Sequence, residues 1–260
     1  MIKTLGLQIF TLRDAMKDEA GVAESFKKMK ALGYDEGQTA GWYGLTVKRY
    51  AELAKDAGVS ICGTHCGFND LVADADKAME DHDLLGTKNI GIGGMPKEVL
   101  ESLDTLKKFV EDFNVFAEKI SKYGFKFTYH NHSFEFSKLG GERIMDVLVD
   151  GLDPKTTSFV LDTYWLQHGG VCVTEWMKKL AGRIDILHLK DMGVRIDPNT
   201  RGAVPYITEV GNGNINFDAV VDLAAEIGVK HYVVEQDICP GDPFDSIKQS
   251  AEYIKARYMK

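Results

Sequence analysis

Cysteine is scarce in this chain. The four present (Cys62, Cys66, Cys172 and Cys239) are few for 260 residues and form no Cys-x-x-Cys pair. That count excludes a disulfide scaffold, and the thiols read as free in a reducing cytoplasm. Cys62 and Cys66 have a spacing that can clip an ion, but Cys62 falls inside an apolar strand pattern and reads as packing. Positive charge is also in deficit: 31 Lys and Arg face 39 Asp and Glu, a net charge of −8. Nucleic acid is therefore not an expected partner, because phosphate binding calls for a basic surface. No apolar run reaches the ~20 residues a membrane helix needs. The start, MIKTLGLQIFTLRD, reads as a strand followed by charge and not as a signal peptide. A cytoplasmic globular protein is expected.

What is present is a repeated phrase: amphipathic helix, glycine, short apolar strand. It recurs at Gly33, Gly58, Gly86, Gly124, Gly182 and Gly228, each placed as a left-handed helix C-cap. Eight strands are predicted, at Leu5–Phe10, Tyr34–Gln38, Val59–His65, Lys88–Ile92, Phe125–His130, Ser158–Asp162, Ile184–Lys190 and His231–Glu235. Helices follow at Ala20–Leu32, Thr46–Ala57, Asp74–Leu85, Leu103–Tyr123, Glu142–Asp150, Val173–Leu180, Asp218–Ile227 and Phe244–Tyr258, the last opened by Pro243. Alternation of this kind at this length predicts a single-domain (β/α)8 TIM barrel over residues 1–260. A doubly wound sheet is the competitor, but Gly91–Pro96 lacks the GxGxxG fingerprint. The one long irregular stretch, Asp191–Asn216, is expected to be a functional loop.

Polar groups collect where the apolar strands end. The third strand ends in His65, and the fifth in His130-Asn131-His132 with Glu135 a short step later. The sixth ends in Asp162, the seventh carries His188, Lys190 and Asp191, and the eighth ends in Glu235 with Asp237 beyond. A barrel brings all these carboxyl ends to one mouth. Singly, each has a bland reading as a cap, a packed histidine or an ion pair. Together, imidazoles and carboxylates around one axis suit a divalent ion: Mn²⁺, Zn²⁺, Co²⁺ or Mg²⁺.

The segments LGLQIFTLRDAM, GTH, YHNHSFEF, LDTYW, HLKD and GNGNINF resemble the xylose-isomerase-like barrel superfamily across essentially the whole chain. The likeness is to its sugar phosphate isomerase/epimerase branch, which includes inosose-dehydratase-like enzymes. It implies a divalent ion held at the ends of strands five to eight, with Asp162, His188 and Glu235 matching three ligands. The remaining ligand is either His130 or Glu135 reaching back. Two departures stand out. Gln38 occupies a position where relatives often carry Glu, and Trp165 replaces a His; Trp165 suits stacking on a sugar face.

These readings imply an isomerase or epimerase acting on a sugar, keto-sugar or cyclitol through an enediolate. His132 and Glu135 are candidate bases, Lys190 is an electrophile or proton donor, and His65, Asn131 and Trp165 contact substrate. The same apparatus serves a dehydratase or eliminase on a keto-cyclitol or 3-keto-glycoside; a non-catalytic sugar-binding module is a further alternative. An abasic-site endonuclease, which shares the barrel, is disfavoured by the net charge and by Trp165. Phosphate recognition would need Arg195, Arg201 or the backbone of Gly211–Asn214, and an unphosphorylated substrate is preferred. Association into dimers or tetramers is implied by resemblance only.

Overall fold

In the computed structural model, which describes residues 1–259, eight parallel strands roll into a barrel with helices outside. The strands are β1 (Leu5–Gln8), β2 (Glu36–Thr39), β3 (Ser60–Thr64), β4 (Asn89–Ile92), β5 (Lys126–His130), β6 (Thr157–Asp162), β7 (Ile184–Leu189) and β8 (His231–Val234). Their order around the barrel is β3-β2-β1-β8-β7-β6-β5-β4. The first predicted strand stops early, because Ile9–Leu12 tightens into a 3-10 turn capped by the Gln8 side chain. The six repeat glycines all have φ between +73° and +86°, the left-handed C-cap the repeat called for.

The helices are α1 (Glu19–Ala31), α2 (Val47–Asp56), α3 (Phe68–Ala73), α4 (Ala75–Leu85), α5 (Leu103–Ser121), α6 (Ile144–Gly151), α7 (Thr163–His168), α8 (Val173–Lys179), α9 (Phe217–Glu226) and α10 (Pro243–Tyr258). A reciprocal cap between Ser102 and Thr105 starts α5. One face of α5 buries Leu106, Phe109, Phe113, Phe116 and Ile120, and the Phe113 ring stacks on Phe127 of β5 at 3.9 Å between centroids. Each such aromatic contributes roughly 1.5–3 kcal/mol by leaving water. This packing fixes β5 and hence the residues at its end.

Three features depart from expectation. Short α3 and α7 were not foreseen; Asp162 caps α7 through the Trp165 amide at 3.0 Å. The stretch read as an irregular loop contains an antiparallel hairpin, Asp191–Ile196 paired with Ala203–Thr208. Its mixed, exposed composition hides it, since no buried face imposes a period-two pattern.

The barrel is not laced all the way round. No strand ladder joins β3 to β4 among the described residues. This seam is closed instead by the Asn89 amide donating to the Cys62 carbonyl at 2.9 Å and by Cys66 N–H donating to Gly91 O at 2.8 Å. Gly91 must be glycine here, because a Cβ would lie 2.4 Å from the Thr64 carbonyl oxygen.

His82 of α4 is fully buried beside this seam, with Nε2 2.7 Å from the Thr64 hydroxyl and Nδ1 2.6 Å from Ala78 O. Burial pushes its pKa down to about 4. An unfolded chain protonates His near 6.5, so between these values the unfolded state binds more protons. Its stabilising contribution is full above about pH 6.5 and is lost as pH falls toward 4. Wild type is expected to lose about 2–3 kcal/mol more than His82→Gln between pH 7 and 4.5. Urea melts at the two pH values measure this, and equal losses in both proteins would refute it.

Candidate metal centre and active site

Four side chains from the ends of β5 to β8 converge: His130, Asp162, His188 and Glu235, all buried, with one ligand atom each within 4.8 Å of the others. His130 Nε2 lies 3.4 Å from Asp162 Oδ2 and 3.9 Å from Glu235 Oε2. His188 Nδ1 lies 2.8 Å from Glu235 Oε2 and 3.5 Å from Asp162 Oδ2.

The second nitrogen of each imidazole decides what the first can do. His130 Nδ1 faces Gly93 O at 3.2 Å, and His188 Nε2 faces Gln38 Oε1 at 2.5 Å. With those nitrogens facing carbonyl oxygens, the other ring nitrogens face the two carboxylates, where an incoming ion would displace the His188 proton. Histidine ligands of metals are oriented in this way. Two imidazoles with two carboxylates are a donor set for a divalent ion, so the residues fit one. Glu135 does not join them: its oxygens accept from Tyr129 Oη at 2.8 Å and from His132 N–H at 2.8 Å.

Protons occupy the site as the electrostatics dictate. Burial alone would lower the His188 pKa, but the Glu235 and Asp162 carboxylates outweigh it and lift His188 to about 9. Burial would raise Asp162, yet the Lys190 ammonium and the imidazole hydrogen bonds hold it at about 2. Lys190 is fully buried, with Nζ 3.3 Å from Glu235 and 3.6 Å from Asp162 and in contact with Asp237. Those three carboxylates overcome desolvation and keep it a cation. Asp191, its neighbour in sequence, points elsewhere.

Of the other expected site residues, His65 lies at the mouth, its ring 4.8 Å from His130 and 5.7 Å from His188. Burial and those two imidazoles keep it neutral. His132 is half-buried 4.8 Å from the His130 ring, and its Nδ1 has no partner. Burial, then His130, push its pKa down to about 3. Trp165 stacks near His132 at 5.3 Å and under the Lys190 ammonium at 4.8 Å. Asn131 is fully buried and accepts from the Asp162 amide at 3.0 Å, so it braces a ligand residue from behind. Glu135, with a pKa raised to about 7 by burial, similarly holds the His132 backbone.

Gln8 and Asp237 were missing from the expected set. Gln8 donates to Gln38 Oε1 at 3.1 Å, completing the chain Gln8–Gln38–His188. A glutamine ending an apolar strand is an ordinary sight, and only the pairing across strands gives it meaning. Asp237 had a signal, as a carboxylate two residues past Glu235.

The expected anion cradle is already filled from within. The amides of Gly211 and Gly213 donate to Asp191 Oδ2, each at 2.9 Å, and Ile215 N–H donates to Oδ1 at 3.2 Å. Arg195 and Arg201 lie exposed on the hairpin and the turn that joins its strands. Arg13 is committed to the carbonyl oxygens of Phe10 and Asp237.

A family model described as xylose isomerase-like TIM barrel matches residues 26–257. A sugar phosphate isomerase/epimerase from Parabacteroides distasonis is 26% identical, with full coverage of both chains and a TM-score of 0.82. A probable 3-DHS dehydratase from Bacillus anthracis shares the fold at 13% identity, covering 98% of this chain and 100% of that one, with a TM-score of 0.73. An inosose dehydratase from Clostridium perfringens is 23% identical over 163 residues, 58% of this chain and 54% of that protein. The chain thus spans about half the length of the curated relatives it matches. No helix among the described residues is long and apolar enough to cross a membrane.

Proposed function

The chain belongs to the xylose isomerase-like TIM-barrel family, and from that premise we propose that it is a divalent-metal-dependent lyase. It removes a β-oxygen substituent, as water or an alcohol, from an unphosphorylated keto-cyclitol or keto-sugar. The observation that carries the reading is Gln38. Where epimerising relatives often carry a second glutamate, this chain has a carboxamide committed to His188. Epimerisation requires proton acceptors serving both faces of a carbon, whereas elimination can proceed with one acid-base group. The curated inosose dehydratases support the same choice over the isomerisation that leads from sequence alone.

When bound, an ion at His130, Asp162, His188 and Glu235 would supply Lewis-acid polarisation of a substrate carbonyl. His132 takes the proton from the adjacent carbon through its imidazole. The C–H electron pair becomes the new double bond as the β C–O bond breaks, and the departing oxygen recovers the proton from the His132 imidazolium. Burial and then His130 keep the His132 ring unprotonated before substrate arrives, so it is free to accept. Lys190 steadies the negative charge that develops on substrate oxygen, and Trp165 offers an apolar face to the ring. The engaged cations and amides described above favour a substrate without phosphate.

The test is incubation of metal-loaded protein with scyllo-inosose and 3-keto-glucosides in D₂O, with products read by mass spectrometry. Loss of water or aglycone is expected. A deuterated isomer of otherwise equal mass would return the assignment to isomerase or epimerase. Neither change, under any of the four ions, would overturn both.

A further inference from the structure

The other end of the barrel holds a second group of metal-ligating side chains, and we propose that Glu36, Cys62 and His231 form a zinc site there, separate from the mouth. One ligand atom from each lies within 4.8 Å of the others. Glu36 opens β2, His231 opens β8, and Cys62 sits in β3. Four residue steps along the chain separate His231 from Glu235, about 13 Å at the usual rise of a strand.

Several features make this a built site. His231 Nδ1 is 2.9 Å from Glu36 Oε2 although β1 runs between their strands. Gly6, the β1 residue paired with Glu36, carries no side chain, and a Cβ there would lie 3.5 Å from that of Glu36. Cys62 is 4% exposed and forms the floor: with Val160, Ile186 and Val233 it makes the thin apolar layer inside the barrel. On the other side opens a cavity of about 670 Å³, lined by all three ligands and by Asn89, Lys126 and Asp185.

The charges fit as well. Lys126 and Lys230 are held by Asp185, at 3.4 and 2.9 Å. Among the described residues, the one basic side chain paired with Glu36 is His231. A thiolate and a carboxylate balance a doubly charged ion, and the imidazole completes a mixed N/S/O set of the kind zinc prefers. Zinc binds sulfur at about 2.3 Å and nitrogen at about 2.0–2.1 Å, so ligand atoms that lie within 4.8 Å of one another are near the spacing one ion requires. The fourth position faces the cavity, open to water or a small anion. Such an ion would tie β2, β3 and β8 together beside the seam.

Cobalt distinguishes this site from the mouth, whose donor set contains no sulfur. Metal-free full-length protein titrated with Co²⁺ is expected to develop thiolate-to-cobalt charge-transfer absorption in the near ultraviolet. Cys62→Ser should abolish the band and bind one zinc fewer per chain, while Asp162→Asn should keep the band. Because Cys62 is buried and its variant can misfold, Glu36→Gln and His231→Gln provide a second route. Both residues are half-buried, and each substitution should weaken cobalt binding at least tenfold. Absence of the band at saturating Co²⁺, its persistence in Cys62→Ser, or unchanged affinity in both remaining variants would overturn the proposal.

Discussion

Asp162→Asn is expected to lose its bound divalent ion and to turn over substrate about 10³-fold more slowly than wild type. The substitution is chosen because Asp162 has two duties. Its Oδ1 caps α7 through Trp165 N–H, and its Oδ2 faces His130, His188 and Lys190. Asparagine retains an oxygen for the cap and presents an amide to the cluster, so the fold is preserved and one ligand is removed. Lewis-acid stabilisation contributes several kcal/mol in metal sites of this type, and about 4 kcal/mol corresponds to about 10³-fold. Elemental analysis beside single-turnover rates makes the comparison. A variant with a full complement of ion and a rate within tenfold of wild type would remove the cluster from the reaction.

Lys190→Met should reveal a different dependence, one of stability on metal. In the ion-free protein the buried ammonium faces Asp162, Glu235 and Asp237 and balances them. Removing one partner from buried charges costs about 3–5 kcal/mol, because the remainder stay desolvated and uncompensated. For a chain of this size that is a fall of roughly 6–20 °C in melting temperature. A divalent ion supplies the missing positive charge, so adding Mn²⁺ or Zn²⁺ should recover most of the loss. Activity should stay low by about 10²–10⁴-fold even when the ion is bound, since the charge on substrate oxygen goes unanswered. A metal-free variant melting with wild type would show that the ammonium is not balancing those carboxylates.

Much of this architecture is legible in the sequence because its signals are local. The helix-glycine-strand phrase states both the periodicity and the turn, and six positive-φ glycines sit where it puts them. The polar residues that close apolar strands were equally visible, since a barrel's geometry carries them to one end whatever their identity. What escapes is relational. Nothing in YHNHSFEF says that Glu135 is spent on Tyr129 and the His132 amide. Nothing in HLKD says that Lys190 and Asp191, adjacent in sequence, turn to different tasks. The Gly211–Asn214 turn resembles an anion site for the same reason that it binds Asp191: its amides converge on a carboxylate the chain itself provides. Gln38 stands out in the sequence where relatives often carry Glu, but its part in aiming His188 depends on a contact 150 residues away.

The seam between β3 and β4 gives the barrel the mechanics of a tube slit along its length. A closed tube resists torsion with its whole wall, whereas a slit one shears along the cut and yields far more readily. Here the two lips carry functional groups at the upper rim. His65 follows β3 on one lip, and Gly93, which anchors His130 through its carbonyl, follows β4 on the other. The laced strands β5 to β8 carry the remaining ligands. The ion ligands thus stand on the continuously bonded arc of the wall, and the seam's two lips, joined by fewer bonds, carry His65 and Gly93.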